Sequence, residues 1–164
     1  NRLYEMVIMQ EPGREYEPRV PYSIAAMAYQ IGQGDEKNIE AALDRLGYEM
    51  NERSKKILPL AGNWAAKFGD PIEIAKNVPD SANELSGMQK EALSEIAGRL
   101  ERDWNAMDFA KEMFSIAKEK GLKPPELFKA IYTVLLGKER GPKAATFLLS
   151  LDRDFVRKRL NLEE

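Results

Sequence analysis

Apolar side chains recur along this chain at spacings of three and four residues, the period of an α-helix. No segment alternates apolar and polar residues in the way that predicts a strand. Glycine and proline interrupt the pattern at short intervals, which indicates short turns between helices. The sequence therefore predicts an all-α fold, a multi-helix bundle or superhelical array of about seven to nine helices.

The distribution of proline and charge divides the chain into an entry segment and one helical domain. Residues 1–20 contain two prolines and several charges, and the chain begins with Asn1 rather than methionine. We interpret residues 1–20 as a connector, in a piece cut from a longer protein. Residues 21–164 are predicted to form the helical domain. Residues 70–86 contain two prolines and are predicted to form a loop, which allows a subdivision of the domain there.

The third predicted helix raises two expectations about packing. Pro59 lies inside it and is expected to kink it or to divide it into two shorter helices. Trp64 and Phe68 fall on its apolar stripe, so we expect their rings to be buried in the core. The same expectation applies to Phe147 and Phe155 on the last two predicted helices.

The composition argues against a self-contained active site. The chain has neither cysteine nor histidine, which removes thiolate nucleophiles, the commonest general base and the commonest metal ligand. Carboxylate pairs such as Asp152 and Asp154 fit better as helix caps or exposed charges. No catalytic residue and no metal site is therefore predicted in this fragment. No apolar run is long enough for a transmembrane helix, so we expect no membrane partner.

The end of the chain is basic, whereas the whole chain has a net charge of −2. Residues 135–160 carry seven basic side chains against three acidic ones, and the basic residues surround a Gly-Pro turn. Such asymmetry indicates a polyanionic partner, with nucleic acid as the first candidate. A solvated basic helix end is the alternative, because cations also stabilise a helix C-terminus. The seven basic residues at this end of the chain are Lys138, Arg140, Lys143, Arg153, Arg157, Lys158 and Arg159.

Four runs of residues carry a resemblance to a known family. They are residues 20–25 (VPYSIA), 128–132 (FKAIY), 135–144 (LLGKERGPKA) and 147–156 (FLLSLDRDFV). Together they resemble the C-terminal region of class I lysyl-tRNA synthetases. The catalytic signatures of that class, similar to HIGH and KMSKS, are absent from this sequence.

The resemblance implies a fold and a function. In that family a Rossmann domain uses ATP to make lysyl-adenylate and passes lysine to its tRNA, while the C-terminal α-helix cage binds the anticodon end. It therefore implies that residues 1–20 connect to a missing catalytic domain, that ATP and Mg²⁺ belong to that domain, and that this fragment needs no cofactor and is not catalytic by itself. The implied partners are a lysine-accepting tRNA and the chain's own catalytic domain, in the cytoplasm.

The candidate tRNA contacts form two groups. The first surrounds the Gly-Pro turn, where a guanidinium offers bidentate hydrogen bonds to phosphate or a base edge and an ammonium offers a point charge. The second lies near the start of the helical domain, where polar and aromatic side chains can reach an RNA. The first group comprises Lys138, Arg140, Lys143 and Arg153, and the second comprises Arg19, Tyr22 and Gln30.

Two other interpretations stay open at the level of sequence. Glutamyl-tRNA synthetases share a related C-terminal architecture and a Gly-Pro element, so the domain could be their equivalent. A helical protein–protein interaction module, with the acidic body as its docking surface, is the alternative from another functional class.

Overall fold

The computed structural model describes residues 19–163. Within that range it contains eight α-helices, one 3₁₀ helix and no strand, which confirms the predicted all-α fold. Most of the predicted connector, residues 1–18, lies outside the described residues. The α-helices are α1 (Tyr22–Ile31), α2 (Glu36–Arg45), α3 (Glu52–Phe68), α4 (Gly87–Arg99), α5 (Ala106–Glu119), α6 (Pro124–Leu136), α7 (Ala144–Ser150) and α8 (Arg153–Leu160); the 3₁₀ helix, Asp80–Glu84, precedes α4.

Local sequence explains where several helices begin. The Asn105 side chain accepts a hydrogen bond from the backbone N–H of Asp108 (2.9 Å), which caps the N-terminus of α5. Asp152 caps α8 in the same way through the N–H of Phe155 (3.0 Å). None of the helices in the described part is both long and apolar enough to cross a lipid bilayer.

The buried apolar side chains form two clusters. The larger unites α4 to α8 and includes the fully buried Phe109 and Phe147. The smaller lies among α1, α2 and α3. Met27 of α1 belongs to the larger cluster, and Arg45 of α2 donates to the carbonyl of Ser150 in α7 (3.1 Å), so the two clusters are in contact. A subdivision at residues 70–86 stays a prediction.

Pro59 does not divide the third helix into two, and a kink at Pro59 stays a prediction. Helix α3 is continuous across it, although proline cannot donate the backbone hydrogen bond to the carbonyl of Lys55. An interior proline costs a helix roughly 3 kcal/mol. The burial of Leu58, Ala61 and Ala65, which pack α3 closely on α1, offsets this cost.

Small side chains decide which face of α3 is buried. A Cβ atom at Gly62 would lie 1.9 Å from Cδ1 of Tyr29, so α1 approaches α3 closely along Gly62 and its alanine neighbours. Trp64 and Phe68 consequently lie to the side of this close contact, where solvent reaches them. Trp64 is 54% exposed and Phe68 is 66% exposed, so the prediction that their rings lie in the core was wrong.

The close approach at Gly62 gives a stability prediction. Gly62→Ala is expected to destabilise the fold by about 1–3 kcal/mol, because the added methyl group must displace the Tyr29 ring. Urea denaturation followed by circular dichroism measures the change. Gly98→Ala, in α4, is the matched control: no atom lies within 4 Å of its added Cβ, and a gain of roughly 0.5–1 kcal/mol is expected. Equal effects of the two substitutions would contradict the packing of α1 on α3.

Candidate nucleic-acid interface

The Gly-Pro turn between α6 and α7 is held against the side of α6. A Cβ atom at Gly141 would lie 2.6 Å from Cδ1 of Tyr132, so only glycine allows this close approach. The Tyr132 hydroxyl donates a hydrogen bond to the carbonyl of Pro142, and burial raises the pKa of that hydroxyl. Tyr132 therefore stays a protonated donor, and it fixes the position from which the basic residues of the turn project.

One side of the turn borders a groove of about 540 Å³. Lys138 and Arg140 line it together with residues of the loop that follows α3, including Pro71. The Lys138 ammonium donates to the carbonyl of Pro71 (3.0 Å), which joins the two walls of the groove. Two cationic side chains therefore lie in one concave surface, which Asp70 and Glu139 also line. An anionic ligand there would be held by Lys138 and Arg140.

Arg140 lines this groove without a direct ion pair in the described residues. Its neighbour Glu139 pairs with Lys129 (2.6 Å), and the hydrogen bond from Lys129, with a smaller contribution from the charge of Arg140, holds the pKa of the Glu139 carboxyl below its ordinary value. Within residues 19–163, no carboxylate oxygen lies within 4 Å of the Arg140 guanidinium. Its planar donor groups are thus available for a phosphate or a base edge.

Lys143 lies in a different groove from Arg140. This second groove, of about 420 Å³, is formed by α5, α6 and α7, and apolar side chains such as Met107 and Phe128 line most of it. The basic turn therefore distributes its side chains between two concave surfaces rather than gathering them at one point.

Arg153 and Arg157 are neutralised by acidic residues of the loop between α4 and α5. Arg153 donates to Asp103 (2.8 Å), and Arg157 pairs with Glu101 (3.2 Å). Their pairing reduces the positive field that α8 adds to the turn. A backbone contact by Arg153 stays a prediction.

Arg159 has a structural position that the sequence did not reveal. The side chain is 3% exposed, and its guanidinium donates to the carbonyls of Ala75 (3.0 Å), Lys76 (2.9 Å) and Asn77 (2.7 Å). It also lies over the Phe155 ring, 5.1 Å from the centroid. Arg159 therefore holds the loop after α3, which supplies one wall of the groove containing Arg140.

The second group of candidates is spread over the first helices. Arg19 is exposed beside the start of α3, and the half-exposed ring of Tyr22 lies 6.3 Å from the ring of Trp64. Both ends of the Gln30 amide are occupied: it donates to the carbonyl of Ala26 (3.3 Å) and accepts from the N–H of Ile72 (2.9 Å). Gln30 thus anchors the same loop as Arg159. RNA contacts by these three residues stay predictions.

Sequence reasoning missed an exposed apolar surface that runs along α3. We call it the aromatic face; it consists of Tyr22 of α1 with Leu60, Trp64 and Phe68 of α3. The rings of Trp64 and Phe68 are 5.9 Å apart. The signal was present in the sequence, because a glycine between alanines on one side of a helix indicates that this side meets another helix.

Comparison with known proteins places these features in a family. The family model of the anticodon binding domain matches residues 17–162. The lysine–tRNA ligase of Pyrococcus horikoshii is 33% identical over 173 residues, which cover 99% of this chain and 33% of that protein. The ligase of Methanocaldococcus jannaschii is 33% identical over 182 residues, with 99% and 34% covered, and that of Thermococcus kodakarensis is 33% identical over 172 residues, with 99% and 32% covered.

The chain spans about one third of the length of these curated relatives. The family match nevertheless extends over almost the whole chain, from before α1 to beyond α8. The resemblance recognised in the sequence to the C-terminal region of class I lysyl-tRNA synthetases is thereby confirmed. The chain belongs to the anticodon binding domain family.

Proposed function

We propose that this chain binds the anticodon end of a lysine-accepting tRNA, as one domain of a lysine–tRNA ligase that uses ATP to attach lysine to that tRNA. The observation that carries this proposal is the match of the anticodon binding domain over residues 17–162. The relatives described above, which match nearly the full chain, are lysine–tRNA ligases, which supports lysine rather than glutamate as the amino acid.

In this proposal the domain binds the tRNA far from the catalytic centre that attaches lysine. Bases of the anticodon loop unstack and lie against the helices, while basic side chains hold the phosphate backbone. The chain itself is non-catalytic, and ATP and Mg²⁺ bind to the catalytic domain of the full-length protein in the cytoplasm. This division of roles agrees with a chain that has neither histidine nor cysteine.

Arg140 is the residue that we expect to contribute most among the candidates at the turn. Its guanidinium lies in the groove beside the turn without a carboxylate partner in the described part of the chain, whereas Arg153 and Lys138 already have intramolecular partners. A contact from Arg140 to phosphate therefore requires no ion pair to break. Lys143 offers a second contact from the adjacent groove.

Arg140→Ala is expected to weaken tRNA binding and to reduce its dependence on salt. The logarithmic salt slope falls by about 0.7 for each single-strand phosphate contact that is lost. Fluorescence anisotropy titrations of a labelled lysine tRNA at several salt concentrations measure both quantities.

Arg157→Ala is the matched control for that experiment, because it removes the same charge from a side chain already paired with Glu101. It is expected to change the affinity and the slope much less than Arg140→Ala does. If the two variants bind equally, net charge alone determines affinity and the role of Arg140 is wrong. Absence of binding to any tRNA at low salt would reject the proposed function.

A further inference from the structure

The aromatic face of α3 is the largest feature that the proposed contacts at the turn leave unexplained. Leu60, Trp64 and Phe68 occupy positions i, i+4 and i+8 of the helix, so they form a continuous stripe on one side. Each is more than half exposed. The Tyr22 ring extends the stripe through its edge contact with Trp64. A soluble domain rarely exposes adjacent large apolar side chains unless they bind something.

The charged residues that share this side of α3 are all basic. Arg53, Lys56 and Lys67 lie on the same side of α3 as Leu60 and Trp64, by helical spacing. In the part of the chain that the structure describes, no carboxylate lies within 4 Å of these three cations. The Lys67 ammonium is 5.4 Å from the centroid of the Phe68 ring.

Carboxylates near α3 are directed elsewhere. The single acidic residue of α3, Glu52, lies 3.9 Å from Lys55, and Lys55 also pairs with Glu36 of α2 (3.0 Å). The Lys55–Glu36 pair joins α3 to α2, and the Glu52–Lys55 pair lies within α3, so neither involves the cations beside the aromatic face. The outer side of α3 therefore combines flat rings with uncompensated cations, although the chain as a whole has a net charge of −2.

We propose that the aromatic face binds unpaired bases of RNA by stacking, with Trp64 and Phe68 as the stacking rings and Arg53, Lys56 and Lys67 as contacts to the adjoining phosphates. This inference rests on the proposed function, because it takes the RNA to be the single-stranded loop of the bound tRNA. Every base presents a flat face, so stacking on an aromatic ring tolerates any sequence, and cations along the same groove follow the backbone.

The charge pattern favours RNA over a protein as the occupant. A docking surface for a protein gains specificity from charges of both signs at its rim, whereas the charged residues on this side of α3 are all cations. Its position is also suitable: α3 ends at Phe68, and Asp70, Pro71 and Ile72 line the groove that contains Arg140. An RNA loop in that groove would need to extend only a short distance along the chain to reach Phe68.

Tryptophan fluorescence tests the stacking directly. The chain has two tryptophans, and Trp104 is half-buried with its indole N–H donating to the carbonyl of Arg99 (2.8 Å). In a Trp104→Phe variant, Trp64 is the sole reporter. A short unstructured oligouridylate is expected to quench its fluorescence saturably, and a duplex of the same length is expected to quench it much less. Absence of quenching, or equal quenching by both ligands, would overturn the inference.

Binding of tRNA to a second set of variants separates this inference from the proposed function. Trp64→Ala is expected to reduce the affinity for tRNA about tenfold, the effect of losing one stacked base. Phe114→Ala removes a ring that is similarly exposed (47%) on α5 and is expected to leave the affinity unchanged. Thermal melts establish that both variants are folded.

The outcomes distinguish the two proposals. If the unaltered chain binds tRNA and Trp64→Ala binds it equally well, the aromatic face serves another partner, such as a protein surface, and this inference is wrong while the proposed function stands. If the unaltered chain binds no tRNA, the proposed function is wrong, and so is the inference that rests on it. Loss of affinity in Trp64→Ala but not in Phe114→Ala supports both.

Discussion

Arg159→Met is expected to lower the free energy of unfolding by about 3–5 kcal/mol, although the residue belongs to a basic cluster that would ordinarily be placed on the surface. Methionine retains much of the apolar length but donates no hydrogen bond. The carbonyls of Ala75, Lys76 and Asn77, which accept from the guanidinium at 2.7–3.0 Å, would lose this charged donor. Urea denaturation measures the loss.

Arg157→Met is the control for the Arg159 substitution, two residues earlier on the same helix. Arg157 forms an exposed ion pair with Glu101, a type of interaction that contributes roughly 0–1 kcal/mol. A large loss at Arg159 with a small loss at Arg157 is the expected pattern. Losses of the same size would show that Arg159 does not secure the loop after α3.

Phe147→Ala is expected to destabilise the domain by about 3–5 kcal/mol, whereas Trp64→Ala is expected to cost less than about 1 kcal/mol. Phe147 is fully buried in the larger core cluster, and removal of its ring leaves a cavity. Trp64 is 54% exposed, so much of its ring already contacts solvent. Denaturation of both variants under the same conditions gives the comparison.

The same two substitutions test whether the helical pattern or the structure correctly predicts which of the two rings is buried. The helical pattern alone places both rings in the core and predicts a similar cost for each. Equal destabilisation would therefore favour the sequence pattern and would contradict the observed orientation of α3.

The fold was predictable because its signals are local. Helix ends are determined by caps such as Asn105 and Asp152, which bond to backbone N–H groups three residues away. The Gly-Pro turn is likewise recognised from adjacent residues alone, so the exposed positions of Lys138, Arg140 and Lys143 could be predicted.

The features that the sequence did not predict depend on distant contacts. Arg159 is buried because its guanidinium donates to the carbonyls of residues 75–77, more than eighty positions earlier in the chain. Trp64 faces outward because Tyr29 of α1 occupies the space above Gly62. Neither partner can be identified from helical periodicity, since periodicity describes one helix and not its neighbour.

The loop after α3 connects these distant contacts to the candidate interface. Gln30 bonds to the N–H of Ile72, Lys138 to the carbonyl of Pro71, and Leu135 accepts from the N–H of Ala75 (2.8 Å). With Arg159, these bonds tie the loop to α1, to the turn and to α6. The wall of the groove beside Arg140 is therefore held in place before any ligand binds, which lowers the entropy lost on binding.

The most direct test of the account is a competition among three tRNAs for this chain at low and moderate salt: lysine tRNA, glutamate tRNA, and lysine tRNA with altered anticodon bases. We predict that unaltered lysine tRNA binds most tightly at both salt concentrations, because the proposed function assigns recognition of the anticodon to this domain. Equal binding of all three would contradict anticodon recognition by this chain, and a preference for glutamate tRNA would contradict the assignment to a lysine–tRNA ligase.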